Sequence, residues 1–156
     1  MLKYQKNVIF GNSYGYLVEL GNGAGWGVLN IMKKGQKNVL GGELKICSVD
    51  PMSGFTRTGS CDGHEADVGC HAICAQMTEE FLLFSQRAGN DLTTPRPEYG
   101  FPGLKVGDRW CVCAERWEEA RLAGKAALVV LESTHESSLE YVELGDLRKH
   151  ALDVAG

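Results

Sequence analysis

Apolar and polar positions alternate from Cys70 to Met77. At the two-residue period of a strand, Cys70, Ala72 and Cys74 share one face, and His71, Ile73 and Ala75 share the other. The alternation stops at Thr78, a helix-capping residue type, and Glu79-Glu80 follow, suited to the positive end of a helix dipole. Phe81, Leu82 and Phe84 give that helix its apolar face, and Arg87 and Gly89 end it. Trp110 to Cys113 predicts a second short strand, running into a helix over Ala114 to Ala123 that Gly124 stops. The β-branched run from Ala127 to Glu132 predicts a third strand. Ser133-Thr134-His135-Glu136 has capping-box spacing and predicts a helix through Tyr141. A last short helix covers roughly Asp146 to Ala151.

Two stretches break this pattern. Gly89 to Arg109 holds Pro95, Pro97 and Pro102, so neither helix nor strand runs through it. Structureless loops beyond ~12–15 residues are uncommon in compact domains and often functional. This one carries Asn90, Asp91, Thr93, Thr94 and Arg96 beside Tyr99 and Phe101. It is expected to be ordered and to line the main concavity together with Cys111 and His135. The plainer reading is a proline-stiffened cover for the core. The other stretch is residues 1–35, with seven glycines and no Pro, Cys or His. Tyr16 to Leu20 suits a strand, and a glycine-rich run from Gly21 to Gly27 follows. That run fails the G-x-G-x-x-G dinucleotide fingerprint because Trp26 occupies the last position. Residues 1–35 therefore read as a Gly-rich N-terminal extension, loosely docked or mobile, and 36–156 as a single domain.

Strands and helices are mixed without regular βαβ alternation. The expected class is α+β: a compact two-layer sandwich of a small, mostly antiparallel sheet with helices on one face. A hydrophobic fraction of 44% and a charged fraction of 23% suit an ordinary globular core. The net charge of −4, without a basic stripe, argues against nucleic acid as a partner. No apolar run reaches the ~18 residues a membrane span needs. Val8-Ile9-Phe10 is cut short by Gly11-Asn12, too soon for a secretory signal, and the first Arg is Arg57. The expected compartment is the cytoplasm, where cysteines are usually thiols or ligands.

The chemistry concentrates in six cysteines and four histidines. Cys111 and Cys113 lie i, i+2 on the second strand, so their sulfurs share a face while Trp110 and Val112 take the other. Cys113 also opens a helix with Arg116 in its first turn, a setting that lowers thiol pKa values. Three uses are open. Cys113 or Cys111 beside His135 or His71, oriented by Asp50 or Asp91, would be a nucleophilic or redox centre. Cys111 and Cys113, with one or two of Cys47, Cys61, Cys74, His71 and His135 and foremost Cys74, would be ligands for a metal such as zinc, although the C-x-C and C-x3-C spacings differ from paired C-x2-C knuckles. Or the cysteines simply pack as small hydrophobes. His71, in an apolar strand, reads as a hydrogen-bonded core residue, and His135 as the better site residue. For a small-molecule ligand the candidates are Asn90, Asp91, Arg96, Arg116 and Trp110. The rival to a thiol centre is thus a non-catalytic binding module built on loop 89–109.

Several long strings resemble one family: Cys47-Ser48-Val49-Asp50-Pro51-Met52-Ser53-Gly54-Phe55, Ala75-Gln76-Met77-Thr78-Glu79-Glu80-Phe81-Leu82, Gly89-Asn90-Asp91-Leu92-Thr93-Thr94-Pro95-Arg96-Pro97, and Gly107-Asp108-Arg109-Trp110-Cys111-Val112-Cys113. They are similar to family 2237 of the domains of unknown function, small and mainly bacterial proteins, over about three-quarters of the chain. The resemblance implies a two-layer α+β domain and no particular activity. Cys70 stands where the family usually has Ser, and Val106 where it usually has Pro. Cys70 is set aside as a site residue on that ground.

Overall fold

The computed structural model describes residues 4–10, 13–19, 26–30 and 36–153, the first three stretches as backbone strands. The chain divides into two compact units, Met1–Gln36 and Lys37–Gly156. Strands β1 (Tyr4–Phe10), β2 (Ser13–Glu19) and β3 (Trp26–Asn30) form an antiparallel meander in chain order. The β1–β2 register shifts between Gln5 and Asn7, as a β-bulge would shift it. Residues 21–25, most of the glycine-rich run, lie outside the described residues.

The second unit is α+β, as expected. Strands β4 (Ile73–Gln76), β5 (Arg109–Val112) and β6 (Leu128–Val129) make an antiparallel sheet with β4 in the middle. Helices α1 (Glu79–Arg87), α2 (Ala114–Leu122) and α3 (Leu144–Lys149) complete it. The Thr78 side chain accepts from the Phe81 N–H and starts α1 as its sequence predicts.

Alternation sorts the sheet's residues into two cores. Ile73 and Ala75 of β4, Trp110 and Val112 of β5, and Val129 of β6 share one core with Phe81 and Leu82 of α1, Trp117 and Ala120 of α2, and Leu147 of α3. Trp117 is fully buried, and its indole N–H donates to the Ala127 carbonyl at 3.0 Å. The intervening residues Cys74 and Cys111 belong to a second, smaller core with Cys47, Cys61 and Val130.

Three predicted elements are shorter or different, each because a side chain diverts the backbone. The first strand starts at Ile73 rather than Cys70. Cys70 has φ 48°, and the His71 N–H is taken by the Asp67 carboxylate. The third strand stops at Val129, because the Leu131 and Glu132 N–H groups bond the Asp153 carboxylate. The Ser133 capping box does not form. Ser133 Oγ donates to Ile46 O, and His135 Nδ1 caps instead, accepting from Ser137 N–H. A 3-10 turn over Glu136–Glu140 replaces the predicted helix.

Residues 43–70 contain no helix or strand longer than an isolated bridge. The buried Asn38 side chain anchors the start of the unit to the chain near Glu132. Its Nδ2 donates to Glu43 O and Glu132 O, and its Oδ1 accepts from the Leu40 and Gly42 N–H groups.

Candidate functional site

A cavity of about 480 Å³ opens between the irregular 50s segment, the proline loop and strand β5. That volume suits a small organic ligand. Loop 89–109 supplies Asn90, Asp91, Leu92, Arg96, Tyr99 and Phe101 to its wall, and β5 supplies Trp110 and Cys111. The loop and Cys111 thus share one concavity. His135 does not line it, and His71 does.

Arg57 is the cavity's best-fixed cation. Its Nη1 donates to Gly54 O at 2.6 Å and its Nη2 to Tyr99 O at 3.1 Å, bridging the 50s segment to the proline loop. The guanidinium carbon stands 4.8 Å from the Trp110 ring centroid, a cation–π geometry. Phe101 meets the same indole edge-on at 5.2 Å. Burial lowers the Arg57 pKa from its ordinary value. Arg57 has φ 57°, a left-handed conformation that costs a non-Gly residue about 1–2 kcal/mol. Such strain persists where surrounding contacts over-determine it, often at binding sites.

His71 also lines the cavity. Its backbone N–H and its Nδ1 both engage Asp67, at 2.8 and 2.6 Å, and the Asp67 side chain is only 5% exposed. The ring stacks on Phe55 with centroids 6.0 Å apart. A buried carboxylate on Nδ1 orients an imidazole and fixes its tautomer. Gly69 makes room for it: a Cβ there would lie 2.9 Å from His71 Cε1. His71 is therefore no core strand residue. It precedes the strand and is partly exposed. The readable signal was Asp67-x-Gly69-x-His71, an acid four residues from an imidazole with a glycine between.

The proline loop is organised by Asp91. Its carboxylate accepts from the N–H and hydroxyl groups of both Thr93 and Thr94, and these bonds hold it well below the usual carboxylate range. Asp91 thus builds the loop rather than orienting a histidine. Gly103, at φ 78°, has no space for a side chain, since a Cβ would clash with Thr93 O. Among the predicted ligand residues, Asn90, Asp91, Arg96 and Trp110 line the cavity. Arg116 does not. It lies on α2, donating to Ala88 O and Glu119.

Behind Cys111 the cysteines converge differently from the expected set. Cys47 bonds Cys74, and Cys61 bonds Cys111. Cys74 and Cys111 are register partners on adjacent strands, yet each pairs with a residue of the irregular segment. The sulfurs of Cys47, Cys61 and Cys74 lie within 4.8 Å of one another, all buried. Cys113 stays a free, half-buried thiol at the start of α2 and is not in this cluster. The trio Cys111, Cys113 and Cys74 is therefore not brought together as thiols, because disulfides occupy two of its members. The cytoplasmic expectation assumed reduced thiols, an assumption that four of the six cysteines do not meet. Among the described residues, no helix is long and apolar enough to cross a membrane.

His135 belongs to a separate cluster. Its Nδ1 lies 2.8 Å from Ser137 Oγ, which lies 3.5 Å from the free Cys70 Sγ. Burial pushes the Cys70 thiol up and the His135 imidazole down. Both shifts favour neutral groups, the reverse of a thiolate–imidazolium pair. Asp62, whose carboxyl burial pushes up, accepts from the Thr58 hydroxyl at 2.7 Å. The cluster contains Cys70, set aside from sequence, and neither Cys111 nor Cys113 makes a hydrogen bond to His135.

The chain belongs to the family described as uncharacterized proteins conserved in bacteria (DUF2237), whose model matches residues 37–151. The match coincides with the second compact unit and contains the cavity and all six cysteines. No curated protein matches the chain.

Proposed function

We propose that this DUF2237 domain is a binding module for a small organic anion, an apolar ring or chain ending in a carboxylate or phosphate. The carrying observation is Arg57, locked on the Trp110 ring at the wall of a cavity of ligand size. An aromatic wall of Trp110, Phe101 and Phe55 suits the apolar body. Arg57 and Arg96 supply positive charge for the anionic end, and guanidinium groups favour such planar acceptors. Asp91 carries an opposing negative charge, and its hydrogen bonds to Thr93 and Thr94 turn its oxygens to the loop rather than to a ligand. His71, oriented by Asp67, adds a polar group to the wall.

A thiol-centred function asks Cys111, Cys113 and Cys74 to share a metal or a reactive sulfur. With Cys74 and Cys111 held in disulfides, Cys113 is the one thiol left of that set. A cytoplasmic location fits if the disulfides cycle, since lasting disulfides belong to oxidising compartments.

Ligand-observed NMR with benzoate and benzamide tests the anion reading. Benzoate should bind and benzamide should bind much more weakly. Arg57→Gln and Arg96→Gln, each checked for a retained thermal transition, should weaken benzoate by about tenfold, the size of a lost charge-assisted hydrogen bond. Equal binding of the two probes, or binding of neither, would remove the proposal.

A further inference from the structure

The irregular segment 43–70 has no ladder hydrogen bonds to hold it on the sheet, and two cysteines within it, Cys47 and Cys61, do that work. Their partners, Cys74 and Cys111, sit opposite each other on β4 and β5, both facing away from the helices. The two disulfides are in contact. Cys61 Sγ lies within 4.8 Å of both Cys47 Sγ and Cys74 Sγ, and Cys111 Sγ is bonded to Cys61 Sγ. In a tetrahedral tetrathiolate site with metal–sulfur bonds of ~2.3 Å, the sulfurs stand about 3.8 Å apart. The Cys61 sulfur lies no more than about an ångström beyond that spacing from the Cys47 and Cys74 sulfurs. The two bonded pairs, Cys47–Cys74 and Cys61–Cys111, separate toward it when their disulfides open.

We infer that Cys47, Cys61, Cys74 and Cys111 form a four-thiolate site for a zinc-type divalent cation when the protein is reduced, and two disulfides when it is oxidised. The chemistry balances. Two equivalents of a dithiol reductant convert the two disulfides to four thiols and leave as two oxidised dithiols. The four thiols then bind one divalent cation and release up to four protons. Ser53 Oγ accepts from the Cys111 N–H at 2.7 Å and ties the irregular segment to β5 beside the site. Either cross-link fastens the same segment to the same two strands, so the fold survives the exchange and the 50s wall of the cavity stays in place. Cys70 and Cys113 lie outside the site.

Cobalt is the probe. Full-length protein, reduced with dithiothreitol and freed of it under anaerobic conditions, should bind one equivalent of Co(II). The complex should show the visible bands of tetrahedral tetrathiolate cobalt, and Zn(II) should displace it. Oxidised protein should bind none. Cys47→Ser and Cys61→Ser should weaken binding by more than the ~10–100-fold that loss of an outer-shell partner costs. Cys70→Ser and Cys113→Ser should bind as the parent does. Should the serine variants fail to fold, alkylation of the reduced parent protein decides instead. Zn(II) should protect the four cysteines while Cys70 and Cys113 still label. No cobalt uptake, uptake unchanged in Cys47→Ser, loss in Cys113→Ser, or uniform labelling with zinc present would each overturn the inference.

Discussion

The two faces of the β5-β4-β6 sheet are held by different physics. The helix-side core contains seventeen buried residues, enough to stabilise its elements by apolar burial alone. The opposite core contains five, four of them cysteines, and covers a segment with no helix or ladder of its own. Too little apolar surface is buried there to offset the entropy of ordering some thirty residues, at about 1–2 kcal/mol each. Covalent cross-links offset part of that cost, by restricting the unfolded chain rather than by adding contacts. The ligand cavity lies along β5, walled by Trp110 of the helix-side core, by Cys111 of the cross-linked core and by Gly54, Phe55 and Arg57 of the 50s segment. The part of its wall that the 50s segment supplies depends on sulfur chemistry, whereas the helices do not.

The largest effect should come from the sulfurs. The disulfides join residues 27 and 50 apart, so each contributes about 4 kcal/mol in chain-entropy terms. Reduction without metal should lower the stability by roughly that amount per bond. Hydrogen exchange should rise over residues 43–70 while α1 and α2 keep their protection. A uniform rise across the domain would break the two-face picture.

Next in size is Trp117→Ala, which removes the largest fully buried side chain of the helix-side core and its hydrogen bond to Ala127 O. A loss of about 3–5 kcal/mol is expected in urea unfolding. Protection should fall in α2 and β6, with both disulfides still formed by mass spectrometry. Mispaired disulfides in this variant would mean that the two faces fold as one.

The smallest effect is a pH dependence. Burial holds the His135 imidazole below its usual range. Below pH ~6.5 the unfolded chain therefore takes up this proton before the folded one does. Stability should fall as pH drops through that point, and level off below the folded pKa. Asp62 acts in the opposite sense, since its raised carboxyl binds a proton first in the folded state. His135→Asn keeps an acceptor for the Ser137 N–H and removes the titration. Denaturation curves of this variant should be flatter than those of the parent below pH ~6.5. An unchanged slope would show that burial of His135 carries no linkage.

Much of the helix side was legible in the sequence. The period-two alternation of Cys74-Ala75 and Trp110-Cys111-Val112 assigned each residue to the face it occupies. Thr78 and Gly124 marked helix ends that the structure keeps, because caps and periods are local properties of the backbone. The loop's place at the cavity was also readable, from prolines that exclude regular structure. The cysteine pairing was not. Six cysteines admit fifteen complete pairings, and the spacing C-x-C drew Cys111 toward Cys113 rather than toward Cys61. Nor could local pattern show that Asp67 would hold His71 at the cavity, or that Ser133 would turn to Ile46 and leave capping to His135. Those outcomes depend on contacts between segments far apart in the chain. Only the folded sheet, by setting Cys74 beside Cys111 under a loop with no helix or strand of its own, decided which sulfurs would meet.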